Sequence, residues 1–116
     1  DVLYAGSGGV HRLESGTWSN DGPFNSQSRA LLSFDGDLYV GGIFTEIDGT
    51  EVLRIARRTS SGWEQVGDGF SGGGAHALGE HNGALYAGGA MTASGATALS
   101  YIAKLVSGDW AAEGAW

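Results

Sequence analysis

The sequence predicts an all-β fold made of repeated units of short antiparallel strands. Three observations carry this prediction: a high glycine content, internal repetition and turn chemistry. The chain has 116 residues, of which 22 are glycine and one is proline, and apolar residues make up 41%. A block of sequence recurs 47 positions later, and turn-forming pairs separate short stretches rich in β-branched and aromatic residues. No window shows the sustained 3.6-residue apolar periodicity of a helix.

Composition and charge exclude several classes of function. The chain has 13 acidic residues against 6 lysines and arginines, a net charge of −7. Phosphate binding needs a surplus of basic residues, so we expect no nucleic-acid partner. No apolar run approaches the roughly 18 residues of a transmembrane helix, so we expect no membrane span. The chain has no cysteine, which excludes a disulfide scaffold, a thiolate metal site and a cysteine nucleophile.

The repeat is clearest at the predicted second strand. Leu38-Tyr39-Val40-Gly41-Gly42 returns 47 positions later as Leu85-Tyr86-Ala87-Gly88-Gly89, and the same spacing relates Trp63 to Trp110. A block of this kind is the sequence signature of a repeat architecture.

A third, shortened copy lies at the N-terminus, where Leu3-Tyr4-Ala5-Gly6 precedes Trp18. The leucine and the tryptophan are 15 positions apart in this copy and 25 in the other two, so about ten residues are missing between its second and third strands. We therefore predict a partial unit of three strands followed by two complete units, at residues 1–27, 28–74 and 75–116.

Turn chemistry orders the strands within each complete unit. Asp35-Gly36 and Asn82-Gly83 are pairs typical of two-residue type I′ hairpins, in which both central residues need a positive φ. These turns join the first strand to the second. The third strands are predicted from Val52 to Thr59 and from Leu99 to Val106. A small turn then leads to the tryptophan that opens the fourth strand, and the glycine-rich run 67–74 leads to the next unit.

Four short antiparallel strands in a repeat of this length are typical of a β-propeller blade. A single blade cannot bury both faces, so blades stack on their neighbours. The sequence supplies a propeller segment of about two and three-quarter four-stranded blades, whereas closed rings have roughly four to eight. We therefore expect a homo-oligomer that completes the ring, or the remaining blades of a longer parent chain.

The order of hairpin, Leu-Tyr-x-Gly-Gly, third strand, small turn and tryptophan resembles the kelch-like blade. The segment from Leu38 to Thr45 also resembles secreted bacterial propeller repeats with the pattern Leu-Tyr-x-Gly-Gly-x-Phe-Thr. The third-strand tyrosine typical of kelch blades is absent, and Arg57 and Lys104 stand near its place. The resemblance implies an extracellular or cell-surface location. It also implies an alternative function, a fragment of a kelch-like propeller enzyme whose active site lies in other blades.

Residues that recur in the repeated units are interpreted as structural. Glycine inside a strand marks a bulge or a close backbone approach, and large aromatic rings fill the space between sheets. The residues assigned in this way are Trp18, Trp63, Trp110, Tyr39, Tyr86, Gly41, Gly42, Gly88 and Gly89.

Residues that do not recur are candidates for contact with a glycan or protein ligand or with another subunit, because recognition is carried by variable positions on a rigid scaffold. Alternation along the predicted third strand places Arg54 and Arg58 on one face and Arg57 on the other. The candidate ligand or interface residues are Tyr101, Phe70, Trp116, Arg54 and Arg58.

Motifs that could serve catalysis, metal binding or cofactor binding are incomplete in this sequence. Gly67-x-Gly69-x-x-Gly72 matches the dinucleotide fingerprint, but no helix is predicted after it. His76 and His81 are an odd number of residues apart and would face opposite sides of one strand. Asp48-Gly49-Thr50-Glu51 offers oxygen ligands, but its copy has lost both acids, which leaves only a single isolated cation site open. We expect no catalytic residue and no cofactor, and we favour a non-enzymatic binding or structural scaffold.

Overall fold

The computed structural model describes residues 2–6, 10–14, 17–20, 24–59, 62–106 and 108–112, with side chains described from residue 24 onward. All regular structure in these ranges is β-strand, and every strand pair is antiparallel. The all-β prediction is confirmed.

The strands lie in chain order along these ranges. They are β1 (Val2–Gly6), β2 (Val10–Glu14), β3 (Thr17–Asn20), β4 (Ser28–Phe34), β5 (Asp37–Gly42), β6 (Glu46–Ile47), β7 (Thr50–Glu51), β8 (Ile55–Thr59), β9 (Gly62–Gln65), β10 (Ala75–His81), β11 (Ala84–Gly89), β12 (Ala93–Ser94), β13 (Thr97–Ala98), β14 (Ile102–Val106) and β15 (Asp109–Ala112).

These strands form three main sheets and two small hairpins. The N-terminal sheet has the order β1-β2-β3, the first sheet β4-β5-β8-β9 and the second sheet β10-β11-β14-β15. The pairs β6-β7 and β12-β13 are two-stranded hairpins inserted between the second and third strands of the first and second sheets. Strand β10 lies against β4 and β5, and β1 lies against β4. Consecutive sheets therefore meet along their first strands.

The predicted type I′ turns have positive φ at both central residues. Asp35 and Gly36 have φ values of 53° and 86°, and Asn82 and Gly83 have 52° and 78°. The flanking pairs Phe34↔Asp37 and His81↔Ala84 close the two-residue loops. The prediction for both hairpins is confirmed.

The third strands begin later than the sequence predicts. β8 begins at Ile55 and β14 at Ile102, three residues after the predicted starts at Val52 and Leu99. The preceding residues form the stems of the small hairpins instead, because Val52 N–H donates to the Thr45 carbonyl at 3.0 Å and Leu99 N–H to the Thr92 carbonyl at 2.9 Å.

The chain enters each third strand through a residue in the left-handed region. Arg54 has φ 69° and Tyr101 has φ 70°, and each is the residue immediately before its strand. The prediction that Arg54 and Arg58 lie on one face of a strand is therefore wrong, because Arg54 is not part of β8.

The double glycines at the ends of β5 and β11 lie opposite irregularities in the neighbouring first strands. The register shifts between Ser28 and Ala30, opposite Gly41 and Gly42. The same shift occurs between residues 75 and 77 in the second sheet, opposite 88 and 89. A Cβ atom at Gly42 would overlap the carbonyl oxygen of Gln27. Close backbone approach, as expected of glycine in a strand, therefore occurs here.

The main core lies between the first and second sheets, and we call it the inter-sheet core. Tyr39 of β5 and Ile55 of β8 enter it from the first sheet, and Trp110 of β15 enters it from the second. Its buried members are Tyr39, Ile55, Val66, Phe70, Ala75, Leu85, Ala87, Met91, Leu99, Ala103 and Trp110.

A second core covers the opposite face of the first sheet, and we call it the outer core. Side chains alternate along a strand, so Val40 and Ala56 point into it while their neighbours Tyr39 and Ile55 point into the inter-sheet core. The first sheet is thus buried on both faces. The buried members of the outer core are Val40, Phe44, Ile47, Val52 and Ala56, and Phe24, Leu31, Leu38 and Trp63 pack against them.

Candidate functional site

Phe70 lies in the loop between β9 and β10 and is fully buried in the inter-sheet core. Its ring centroid is 4.8 Å from that of Trp110, whose Nε1–H donates to the Val66 carbonyl at 3.0 Å. The structure therefore places Phe70 in packing between sheets, away from any surface that a ligand could reach. This corrects its interpretation as a ligand or interface candidate.

Phe24 has the same role one unit earlier. Its ring centroid lies 5.5 Å from that of Trp63, in an edge-to-face arrangement. The following residues also correspond, because Asn25 N–H donates to the Glu46 carbonyl at 3.1 Å and Ser71 N–H to the Ala93 carbonyl at 2.9 Å.

The sequence contains a signal for this recurrence that the 47-residue spacing hides. Phe24, Phe70 and Trp116 are each separated by 46 positions, one fewer than the strand motifs. A linker shortened by one residue breaks the alignment of Phe24 with Phe70, yet each ring packs on the tryptophan of the sheet that follows it. Trp116 lies outside the described residues, and the side chain of Trp18, in β3, lies outside them as well.

Arg54 joins the first sheet to the loop that carries Phe70. Its Nη1 donates to the Phe70 carbonyl at 2.9 Å, and the Phe70 N–H donates to the Leu53 carbonyl at 2.8 Å. Arg54 is partly buried and engaged within the chain. Tyr101, which occupies the same place in the second sheet, is 62% exposed.

The two arginines of β8, Arg57 and Arg58, also have partners within the chain. Arg57 pairs with the Glu64 carboxylate, and its Nε lies 3.9 Å from an oxygen of Asp37. The hydrogen bonds to Glu64 and Tyr39 raise the pKa of Arg57 above its ordinary value. The guanidinium of Arg58 lies 5.9 Å from the ring centroid of Trp63. The structure thus does not bring Arg54 and Arg58 together as one charged surface.

The sequence segments with acidic or glycine-rich motifs have structural roles in the described part of the chain. Asp48 and Gly49 have φ values of 52° and 80° and form the turn between β6 and β7. Gly67-x-Gly69-x-x-Gly72 is followed by strand β10 rather than by a helix. Within the described ranges, no group of three or more histidine, aspartate or glutamate side chains is placed to hold a metal ion.

The main candidate for interaction is the face of the second sheet that points away from the inter-sheet core. We call it the end face and define it by Tyr86 and Gly88 of β11, by Ile102, Lys104 and Val106 of β14, and by Tyr101 at its edge. In the ladder, Tyr86 pairs with Lys104 and Gly88 with Ile102. Their neighbours Leu85, Ala87 and Ala103 point into the inter-sheet core, so the end-face residues point the other way.

The end face is more exposed than the corresponding face of the first sheet. Tyr39 is 4% exposed and Ile55 fully buried, whereas Tyr86 and Ile102, at the same repeat positions, are half-buried. The two exposed large hydrophobic side chains of the described residues, Tyr101 at 62% and Val106 at 47%, both lie on the end face. The Lys104 ammonium lies 5.8 Å from the Tyr86 ring centroid.

A shallow cavity of about 210 Å³ runs along β4 and is lined by residues 28–31. β4 is an edge strand of the first sheet, and β10 is an edge strand of the second. The cavity therefore lies on the side where consecutive sheets meet.

No protein-family model, curated protein or solved structure matches this chain. The resemblance to kelch-like repeats stays a prediction from the repeated motifs. In the ranges given above, no helix is long and apolar enough to cross a membrane.

Proposed function

We propose that the chain is a β-propeller segment that acts as a non-enzymatic scaffold for an extracellular glycan or protein ligand. The observation that carries the proposal is the repetition of one packing arrangement. Each four-stranded sheet presents its fourth-strand tryptophan to an aromatic residue of the preceding linker, Phe24 for Trp63 and Phe70 for Trp110. Repeated packing of this kind extends unit by unit.

The positions of the first strands support a radial arrangement. β10 contacts β4 and β5, and β4 contacts β1, so the sheets approach one another along one side. The glycines at the ends of the second strands allow close backbone approach near this side, as at Gly42. Crowding of first strands around a common axis is the geometry of a propeller.

A binding role is supported by the contrast between a constant framework and variable exposed hairpins. The hairpin β6-β7 has the cross-strand pair Glu46↔Glu51, and the equivalent pair in β12-β13 is Ala93↔Ala98. Two like charges directly opposite one another destabilise a hairpin, so folding does not require them. Exposed segments that vary on a fixed framework are where recognition residues concentrate.

The arrangement of sheets is tested by a crystal structure of the species isolated by gel filtration. We expect the sheets to radiate from one axis with β4 and β10 innermost. A straight stack of parallel sheets, with no common axis, would contradict the propeller.

The ligand class is tested with the assembled protein on a glycan array. A saturable signal that free sugar displaces would identify a glycan ligand. A blank array would remove the glycan alternative and leave a protein ligand, to be sought by affinity capture from extracellular fractions.

A further inference from the structure

The end face resembles the face of the first sheet that the second sheet covers, because the two faces carry the same residue types at equivalent repeat positions. The first sheet presents Tyr39, Gly41 and Ile55 to the second sheet, which covers them. The second sheet presents Tyr86, Gly88 and Ile102 at the same repeat positions. The two sheets share the chemistry of this surface, but in the second sheet nothing in the described chain covers it.

We propose that the end face docks the N-terminal sheet of a second copy of this chain, head to tail. This inference rests on the proposed propeller scaffold and adds to it the partner and the surface. The occupant of the corresponding face in the first sheet is a repeat unit, and a second copy offers a repeat unit at its N-terminal end.

The backbone register supports the N-terminal sheet as the matching surface. Trp110, which enters the inter-sheet core, pairs with Leu105 in the ladder of the second sheet. Trp18 of β3 pairs with Leu13 at the same ladder position, and Trp63 pairs with Arg58. The N-terminal sheet thus has a tryptophan where a docked unit has one.

Gly41 and Gly88 occupy equivalent positions of the repeat, and the space next to each shows whether another unit is packed there. A Cβ atom at Gly41 would lie 2.9 Å from the Cβ of Ala75, across the occupied interface. At Gly88 the nearest atom would be the Tyr101 carbonyl oxygen, 3.8 Å away. The second sheet therefore keeps a glycine that its own chain does not require, as expected if another unit approaches it closely.

Head-to-tail contacts close into a ring when the rotation between units allows it. Two copies supply six main sheets, within the range of roughly four to eight that closed propellers have. Both surfaces are present on every copy, so each copy uses its end face and its N-terminal sheet once.

The test measures the mass of the chain in solution by sedimentation velocity at micromolar concentration. We expect the wild-type chain to have about twice its monomer mass of 11.9 kDa. Ile102→Arg places a charge at the centre of the end face, and we expect it to raise the dimer Kd by at least about tenfold. Ala98→Arg, in the exposed hairpin β12-β13, is the control and should leave the dimer intact.

A second variant tests the same surface in case Ile102→Arg does not fold. Gly88→Ala adds one methyl group with room around it in the single chain, so the far-UV circular dichroism spectrum should not change. It should still weaken the dimer, because the docked unit approaches that position. A monomeric wild-type chain, or a dimer that resists both variants, would overturn the docking surface without affecting the proposed scaffold, which the crystal structure and the array test separately.

The head-to-tail direction has its own test. Trp18→Ala alters the N-terminal sheet and leaves the end face intact, and Ile102→Arg does the reverse. We expect each variant alone to be monomeric and an equimolar mixture to form dimers through the one intact pair of surfaces. A Trp18→Ala variant that still dimerises would indicate end faces paired with each other, and a mixture of two monomeric variants that stays monomeric would show that the two surfaces do not bind one another. Either result would overturn the head-to-tail arrangement.

Discussion

Gly41 and Gly88 occupy one position of the repeat, yet their surroundings differ. The space next to Gly41 is filled by Ala75 of the second sheet, and a Cβ–Cβ distance of 2.9 Å is shorter than packed side chains allow. Ala75 cannot move aside by rotating a side chain, so the sheets themselves would have to separate.

We predict that Gly41→Ala lowers the free energy of unfolding by about 1–3 kcal/mol, the range for overpacked cores. Gly88→Ala should change it by less than about 0.5 kcal/mol, as for a surface substitution. Urea denaturation at a concentration where the chain is monomeric compares the two. Equal losses would mean that glycine serves backbone conformation at both positions rather than packing.

Trp110 combines ring packing with a hydrogen bond, and the two contributions can be separated. The side chain is 3% exposed and its Nε1–H donates to the Val66 carbonyl. We predict a loss of about 3–5 kcal/mol for Trp110→Ala, the range for large aromatic side chains removed from cores. Trp110→Phe should cost about 0.5–1.5 kcal/mol, because it keeps a ring and loses one hydrogen bond, while the Val66 carbonyl still accepts from the Gly69 N–H at 3.2 Å.

The same denaturation series checks these values. A loss below about 1 kcal/mol for Trp110→Ala would mean that the ring is exposed in solution, and a sugar-binding platform would then be the better interpretation.

At the scale of one element, the residue that precedes each third strand is left-handed, and its side chain has a different environment in each sheet. The hydrogen bond from Arg54 to the Phe70 carbonyl offsets the energetic cost of its left-handed backbone. Tyr101 has nearly the same φ and a side chain that is 62% exposed. A non-glycine residue in this region costs about 1–2 kcal/mol.

We therefore predict opposite effects of glycine at these two positions. Tyr101→Gly should raise the free energy of unfolding by up to about 1 kcal/mol, since relief of strain exceeds the entropy cost of glycine. Arg54→Gly should lower it by about 0.5–2 kcal/mol, because the lost hydrogen bond to a charged group outweighs the same relief of strain. Thermal or urea denaturation of the monomer gives both values. A destabilised Tyr101→Gly variant would show that the tyrosine ring packs on the chain.

The elements that the sequence predicts well are those with local causes. The turns at Asp35 and Asn82 depend on two residues each, and a two-residue loop with these pairs has few alternative backbone conformations. The starts of the third strands depend on the inserted hairpins instead. Val52 has a strand-forming side chain, and the sequence does not distinguish a long third strand from a hairpin stem.

The candidate site was less predictable for a related reason. Phe70 is apolar and lies in a glycine-rich loop, and only its packing on Trp110 reveals its role. The exposure of Tyr101 and Val106 follows from the position of the second sheet in the chain, which periodicity does not encode. Tyr101 is a candidate from the sequence because it does not recur, and the structure adds the surface to which it belongs.

At the scale of the whole molecule, the two four-stranded sheets differ in how much of each is covered. The first sheet lies between the inter-sheet core and the outer core, and the second is covered on one face by the described chain. Segments with fewer buried contacts open locally at lower free energy than the core.

We predict that backbone amides of β5 and β8 exchange with solvent more slowly than those of β11 and β14 in the monomer. Native-state hydrogen exchange followed by nuclear magnetic resonance measures this order. At concentrations that favour the dimer the difference should shrink, because the partner covers the end face. If the amides of the two sheets were equally protected in the monomeric Ile102→Arg variant, the predicted difference between the sheets would be wrong.

The turn at Asn82-Gly83 has a consequence for the chemical ageing of the protein. Both residues are exposed, and an asparagine followed by glycine can lose its amide through a cyclic imide. If the ring opens to aspartate, the product is the Asp-Gly pair that the first sheet uses at residues 35 and 36, and the hairpin is kept. If it opens to isoaspartate, the main chain gains one atom within a two-residue loop. Only that product is incompatible with the turn, so ageing at this site divides the molecules into an intact population and one with a broken β10-β11 hairpin.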